Sequence, residues 1–381
     1  MEKNFETRSK KAVFLNGEQI SPYKYDEVKG LNGYLVAYND NSFTIYDETG
    51  KVIFSKKLKV TYINYDYIVV CKNNLYGVYS CDGKLIVPVK FDGIDFYNKA
   101  IEVKKDNMYG AYSWDGKLIV PAKFDSILFG EKAIETCKGD LYGAYSWDGK
   151  LIVRTEFNRL LFCESGIITR KDYLEGVYSY DGKLIIPIEF DECLLTKSCI
   201  AVRKKRLYGI YSYKGKLVLP IEFNECGFYE NRISVEKDDF YGVYSNKGKC
   251  ILPLEFDNVY FSERGIRVKK DGLFGVYSNK GNLIVPLEFD RITFGEERMT
   301  VGKNDYIGIY SYDGKLIVPA EFDSISFEKE GMVVFKNNLF GIYSYDGKII
   351  IPPEFIEFNI TKTGIIEVQR EEDGPWEVYT N

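Results

Sequence analysis

Apolar and polar residues alternate over short stretches of this chain, and no stretch repeats its apolar positions at the spacing of a helix face. Residues 100–104 (AIEVK) read as a strand, and DNMYG then marks a turn into a second strand, YGAYS at 109–113. In the following WDGK, Asp115-Gly116 stands between two apolar runs. That is a short hairpin signal, and it predicts a type I′ turn with positive φ at both central residues. KLIVP (117–121) supplies a third strand, which its proline is expected to end. FDSILF (124–129) supplies a fourth, and GEK turns back into the next unit. The expected fold class is all-β, built of small antiparallel sheets.

The pattern repeats. MYGAYSWDGKLIVPAKFD at 108–125 returns as LYGAYSWDGKLIVRTEFN at 141–158, 33 positions on. The glycine of the YG pair falls at 77, 110, 143, 176, 209, 242, 275, 308 and 341, always 33 apart, and the tyrosine two residues later never changes, from Tyr79 to Tyr343. Earlier, Gly17 and Gly50 are in phase with Gly83, and Pro22, Tyr25 and Asp26 match Pro88, Phe91 and Asp92. Later, Gly374 is in phase with Gly341, and Trp376 with Tyr343. This gives an N-terminal extension, 1–10, and one continuous array of about eleven units over 11–381. Residues 11–76 form degenerate N-terminal caps and 356–381 a partial C-terminal cap.

The LIV run (Leu118, Ile119, Val120) is apolar on consecutive residues, which implies that both faces of its strand are buried. Each sheet is therefore expected to pack face to face on its neighbours, as propeller blades do. The invariant glycine would allow close backbone approach between units, and the Tyr and Phe columns (Phe91, Phe124 and their copies) would fill the layers. Eleven units exceed the usual four to eight blades of a propeller. The expected architecture is an open superhelix of stacked sheets, with a closed large or double β-propeller as the alternative.

Composition narrows the chemistry. The 381 residues are 45% hydrophobic and 16% aromatic, ample for a core, and the net charge of −5 argues against nucleic-acid binding through overall charge. A local basic face leaves that binding open. No histidine is present, so Ser–His–Asp and Cys–His nucleophile systems and histidine metal sites are excluded. Neither a signal-peptide core nor a membrane-length apolar run is seen, and the expected location is cytoplasmic, without membrane insertion. The eight cysteines contain no CxxC pair and are expected to be free thiols. No cofactor, metal or catalytic residue is expected.

The phrase LYGVYS-DGKLIVP-EFD-I, carried by residues 73–94 and their copies, resembles the WG (KWG) repeat of bacterial proteins. The chain departs by placing Tyr or Phe where that family has Trp (Tyr76, Tyr109, Tyr142, Tyr208, Tyr241, Phe274, Phe340), and Glu175 and Ile307 break even this. The resemblance implies a β-rich repeat protein with an interaction role and no activity common to the family.

Three surface features are candidates for function. Glu156, Glu189, Glu222, Glu255, Glu288, Glu321 and Glu354 form one column, and Lys84, Lys117, Lys150 and their copies form another. Because an active site is unique and this arrangement is repeated, a charge ladder pairing between units is expected. The turn ahead of YG is basic: Lys104-Lys105, Arg170-Lys171, Arg203-Lys204-Lys205-Arg206, Lys237 and Lys269-Lys270. The position before the Asp/Lys-Gly turn holds Trp114, Trp147, Tyr180 and Tyr213 in four consecutive units, and these are either cross-strand packing or anchors for a partner. Cys193 and Cys226 fall in an aliphatic column and are expected in the core, whereas Cys71 and Cys137 share a column with Lys104 and are expected at the surface.

These readings together give a non-enzymatic scaffold that binds another macromolecule, most simply a protein with an acidic face, over 104–213. The aromatics Trp114, Trp147, Tyr180 and Tyr213 would serve as anchors and Arg203, Lys204, Lys205 and Arg206 as steering charges. A carbohydrate-binding or other ligand-binding module using the aromatic row is the alternative. An enzyme would need one irregular unit, and the one carrying Arg154 and Glu175 departs most.

Overall fold

The structure, a computed structural model, describes residues 10–329, 331–361 and 366–379. All but the last residue of the expected N-terminal extension lie outside the described residues. Every regular element among the described residues is a β-strand. Ten four-stranded antiparallel sheets follow one another in chain order. They are preceded by a two-stranded sheet (Phe14–Leu15 and Glu18–Gln19) and followed by a three-stranded one ending at Glu377–Val378. The chain forms two compact units, Met1–Cys193 and Leu194–Asn381.

The sheet of residues 93–124 shows how each one is built. Its strands are Gly93–Phe96, Ile101–Lys105, Met108–Tyr112 and Leu118–Phe124, paired in that order. The fourth run of the sequence repeat, FDSILF, therefore does not close its own sheet. Ser126–Phe129 pairs with Ile134–Lys138 and opens the next sheet.

The hairpin turns also differ from expectation. At Asp115-Gly116 only the glycine has positive φ, at 91°. The Gly116 N–H donates to the Ser113 carbonyl and the Ser113 N–H to the Lys117 carbonyl, which defines a three-residue loop closed by a left-handed glycine. Ser113 belongs to that loop, because its Oγ accepts from the Lys117 N–H and donates to the Asp115 carboxylate. The two-residue turn with positive φ at both centres lies instead between the second and third strands. There Asp106 and Asn107 have φ of 51° and 63°, and Lys105 pairs with Met108. The Asp92 carboxylate accepts from the Asp106 N–H at 2.6 Å, and the equivalent Asp125, Asp290 and Asp323 brace their own turns in the same way.

Proline does not end the fourth strand. It runs on to Phe124 through register shifts, so that Tyr112 faces Leu118, Ala111 faces Val120 and Tyr109 faces Phe124. The bulge explains the LIV run. Ile119 and Val120 are both buried, yet Leu118 is exposed, so the strand is not buried on both faces along its whole length. It also explains the invariant glycine. A Cβ at Gly110 would lie 2.6 Å from both the Val120 carbonyl oxygen and the Ala122 nitrogen, in the same sheet. The close approach to a neighbouring sheet is made by the other glycine column, where a Cβ at Gly116 would meet the Leu85 carbonyl oxygen at 3.0 Å.

Between consecutive sheets of each unit the aromatic columns interlock as expected. Phe91 meets Tyr112 edge to face at 5.8 Å, and Phe124–Tyr145, Phe256–Tyr277, Phe289–Tyr310 and Phe322–Tyr343 repeat that geometry. At the N-terminal end Tyr25 and Tyr46 take the same places and hydrogen-bond through their hydroxyls at 3.0 Å. At the C-terminal end the column slips. Trp376 is exposed, and Tyr379 packs edge to face on Phe355, because residues 370–376 form no strand and Tyr379 is the residue bonded back to Ile366.

Candidate functional site

The aromatic row is built into the stack. Trp114 is half-buried, lies parallel to Phe96 at 5.7 Å, and donates its indole N–H to the Tyr97 carbonyl at 3.1 Å. Trp147 repeats this on Phe129 and the Glu131 carbonyl. The hydroxyls of Tyr180 and Tyr213 donate to the carbonyls of Cys163 and Thr196. Each ring thus closes the turn between the first and second strands of its own sheet. The preceding sheet adds a cation, with Lys99 Nζ 5.3 Å above Trp147 and Lys132 Nζ 5.4 Å above Tyr180. The expected cross-strand packing is replaced by this packing on the turn.

The basic turns are interleaved with acid. Lys237, Lys270, Lys303 and Lys336 pair with Glu222, Glu255, Glu288 and Glu321 of the preceding sheet at 2.9–3.4 Å, and Arg370 stands 3.7 Å from Glu354. The glutamate ladder does bridge neighbouring sheets, but its partners are the cations ahead of the two-residue turn. The lysines beside the glycine turn are used differently: Lys150 and Lys315 donate to the Asp181 and Asp346 carbonyls of the next sheet. In the 1–193 unit the glutamate column begins with Lys90 and Lys123 instead. Arg203 and Lys204 are half-buried, whereas Lys205 and Arg206 are exposed and occupy the two left-handed turn positions, with φ of 52° and 71°. Of the irregular pair, Glu175 accepts from the Cys193 N–H at 2.9 Å and stands 3.7 Å from Arg170, while Arg154 is exposed.

Cys193 is buried as expected, and burial pushes its thiol up to about 12. Cys226, Cys71 and Cys137 are half-buried, the last two less open than their column suggested because they sit within paired strands. All eight thiols are free, and no metal-binding cluster of three or more His, Cys, Asp or Glu occurs among the described residues.

Sequence reading missed one surface. The first residue of the fourth strand is aliphatic in sheet after sheet and stays in solvent. Val52, Leu85, Leu118, Leu151 and Leu184 are 43–50% exposed in five consecutive sheets of the 1–193 unit. In the other unit the column reads Leu217, Cys250, Leu283, Leu316 and Ile349, all exposed. Lysine precedes most of these residues in sequence, so the row is aliphatic with a basic border. The signal was present in the recurrence of leucine at that position, but the LIV run disguised it as core.

These features define a tandem-repeat β protein of stacked, blade-like sheets. The WG containing repeat family model matches residues 76–109, 208–239, 241–274, 274–305 and 307–338, so the chain carries WG-type repeats over those residues. No curated protein matches it. Among solved structures it is similar to PorZ of Porphyromonas gingivalis, described as a surface component of the type-IX secretion system (9% identity, TM-score 0.21, covering 92% of this chain). The chain spans only 63% of the PorZ chain. It is also similar to Kluyveromyces lactis Hsv2p (13%, TM-score 0.24, covering 68% of this chain and 94% of that one). A eukaryotic initiation factor matches at 12% identity and a TM-score of 0.27, covering 83% of this chain and 97% of that one. These TM-scores are low, and the likenesses carry no inference about function.

Proposed function

We propose that the chain is a non-enzymatic scaffold whose repeats dock a protein partner along an extended face. The exposed aliphatic row of Val52, Leu85, Leu118, Leu151 and Leu184 carries this reading. Exposed apolar residues recurring beside charge suit a protein interface, and their regular spacing suits an elongated partner. The lysines beside the row steer an acidic partner and set the salt dependence of association, while the aliphatic residues set its lifetime.

The test is affinity capture with the intact chain and with a Leu85→Glu/Leu118→Glu/Leu151→Glu variant. A partner retained by the wild type and lost by the variant, with melting unchanged, supports the reading. Each leucine removed from an interface is worth about 1.5–3 kcal/mol, so the triple variant should weaken binding by more than about a thousandfold. If the same partner binds both proteins equally, the face lies elsewhere.

A further inference from the structure

Within the 1–193 unit, an open cavity of about 530 Å³ lies between the sheets of residues 126–157 and 159–190. It is lined by the first two strands and the turn between them, with Tyr180 reaching in from the loop ahead of the fourth strand. It arises at a position that varies between units. In the preceding gap, between the sheets of 93–124 and 126–157, the Tyr97 ring packs on Phe129 with centroids 4.8 Å apart. The residue 33 positions after Tyr97 is Gly130, and the counterpart of Phe129 is Phe162. Gly130 brings no side chain to the space, and Phe162 is left 36% exposed. In the other unit Tyr229 occupies this position and stacks on Phe261 at 5.4 Å and 16°, so an aromatic ring fits such a gap, although Cys163, Thr196, Ser262, Gly295 and Glu328 stand there in other sheets.

The lining selects the rest of the ligand. Glu131, Glu135 and Glu164 border the cavity. The sole cation beside it, Lys132, lies over the Tyr180 ring and donates to the Glu164 carbonyl. Glu135 is half-buried and makes no hydrogen bond or ion pair among the described residues. Burial holds its carboxyl above the ordinary carboxylate value. Its counterpart in the filled gap, Glu102, is the largest influence holding the Tyr97 phenol above its ordinary value. The group at the far end of a ring seated on Phe162 therefore faces Glu135. A cation placed there relieves a partly desolvated carboxylate. A cavity between Ser262 and Phe294 in the other unit lacks this chemistry, because Arg264 lines it.

We propose that the cavity bounded by Gly130, Phe162 and Glu135 binds a small aromatic amine. Its ring takes the place that Tyr97 fills in the neighbouring gap, and its ammonium group faces Glu135. The volume lies within the roughly 300–1,000 Å³ of small-molecule pockets.

Calorimetric titration of the intact chain with tyramine, phenethylamine, phenethyl alcohol and cyclohexylethylamine tests this. The two aromatic amines should bind at least about tenfold more tightly than the neutral alcohol and the non-aromatic amine. Gly130→Tyr supplies the missing ring and should abolish binding. Its Cβ would lie 2.8 Å from the Ala133 carbonyl oxygen, but Tyr97 bears a side chain in the equivalent turn, which keeps the same hydrogen bond. Glu135→Gln should cost the amines about tenfold and leave phenethyl alcohol unchanged, and it serves even if the Gly130 variant folds poorly. Equal binding of amine and alcohol, unaltered binding by Glu135→Gln, or no binding of either aromatic amine at millimolar concentration overturns the proposal. The Leu85→Glu/Leu118→Glu/Leu151→Glu variant should bind the amines like wild type, which separates this site from the partner face.

Discussion

At the scale of single residues, the repeat makes columns visible in the sequence but hides the reason for each. The glycine after Tyr109 was plain as an invariant, yet its cause is a bulge in the adjacent strand, and no spacing of letters reveals which backbone atoms approach Gly110. Gly110→Ala would drive a methyl into the Val120 carbonyl and the Ala122 nitrogen, both 2.6 Å away, and it should cost about 1–3 kcal/mol or more in denaturant melts. A loss below about 0.5 kcal/mol would mean that the bulge relaxes freely. The cysteines offer a second check. Cys250 stands at the surface in the aliphatic row. Burial raises the thiols of Cys193 to about 12, and of Cys81 and Cys226 to about 11. Because the thiolate is the reacting form, a thiol reagent at neutral pH should modify Cys250 first and leave these three until the chain unfolds. Rapid native labelling of Cys193 would contradict its placement in the core.

At the scale of the element, the strands were legible because period-two patterning and turn residues are local signals. Pairing was not, since FDSILF is equally compatible with closing one sheet or opening the next, and only the hydrogen bonds of Ser126–Phe129 decide. The same limit applies to the candidate site. The change from Tyr97 to Gly130 could be seen by aligning the units, but its meaning depends on Phe162 standing across the gap, a contact 32 residues away. The aromatic row was legible as a row and ambiguous in role, because a tight turn flanks it and its polar ends find carbonyls in another turn. Trp147→Phe keeps the ring over Phe129 and loses the bond to the Glu131 carbonyl, so it should cost about 1 kcal/mol. Trp147→Ala loses the ring as well and should cost about 3 kcal/mol, somewhat less than a fully buried aromatic. Chemical denaturation of both variants measures this, and two near-zero values would return the row to the status of free anchors.

At the scale of the whole molecule, one column couples stability to pH across both units. Tyr79, Tyr112, Tyr145, Tyr178, Tyr244, Tyr277, Tyr310 and Tyr343 are each held above the ordinary tyrosine value, with burial the leading cause in every case. The phenol is neutral when protonated, so a raised value means that the folded chain binds these protons more tightly than the unfolded chain does. Their contribution to stability is complete below the unfolded value, near 10, and is lost as pH rises through the folded values. Other tyrosines stand in solvent, and 85% of Tyr173 is open to it. An alkaline titration followed by tyrosinate absorbance should therefore divide in two. One fraction ionises near 10 with the secondary structure intact, and the buried column ionises later, together with loss of the β signal in circular dichroism. Tyr145→Phe keeps the edge-to-face contact with Phe124 and removes one ionisable group, so it should delay alkaline unfolding slightly while leaving neutral stability almost unchanged. A single smooth titration of all tyrosines near 10 in a chain that stays folded would show that the column is wet, and the stacking of the sheets on it would have to be abandoned.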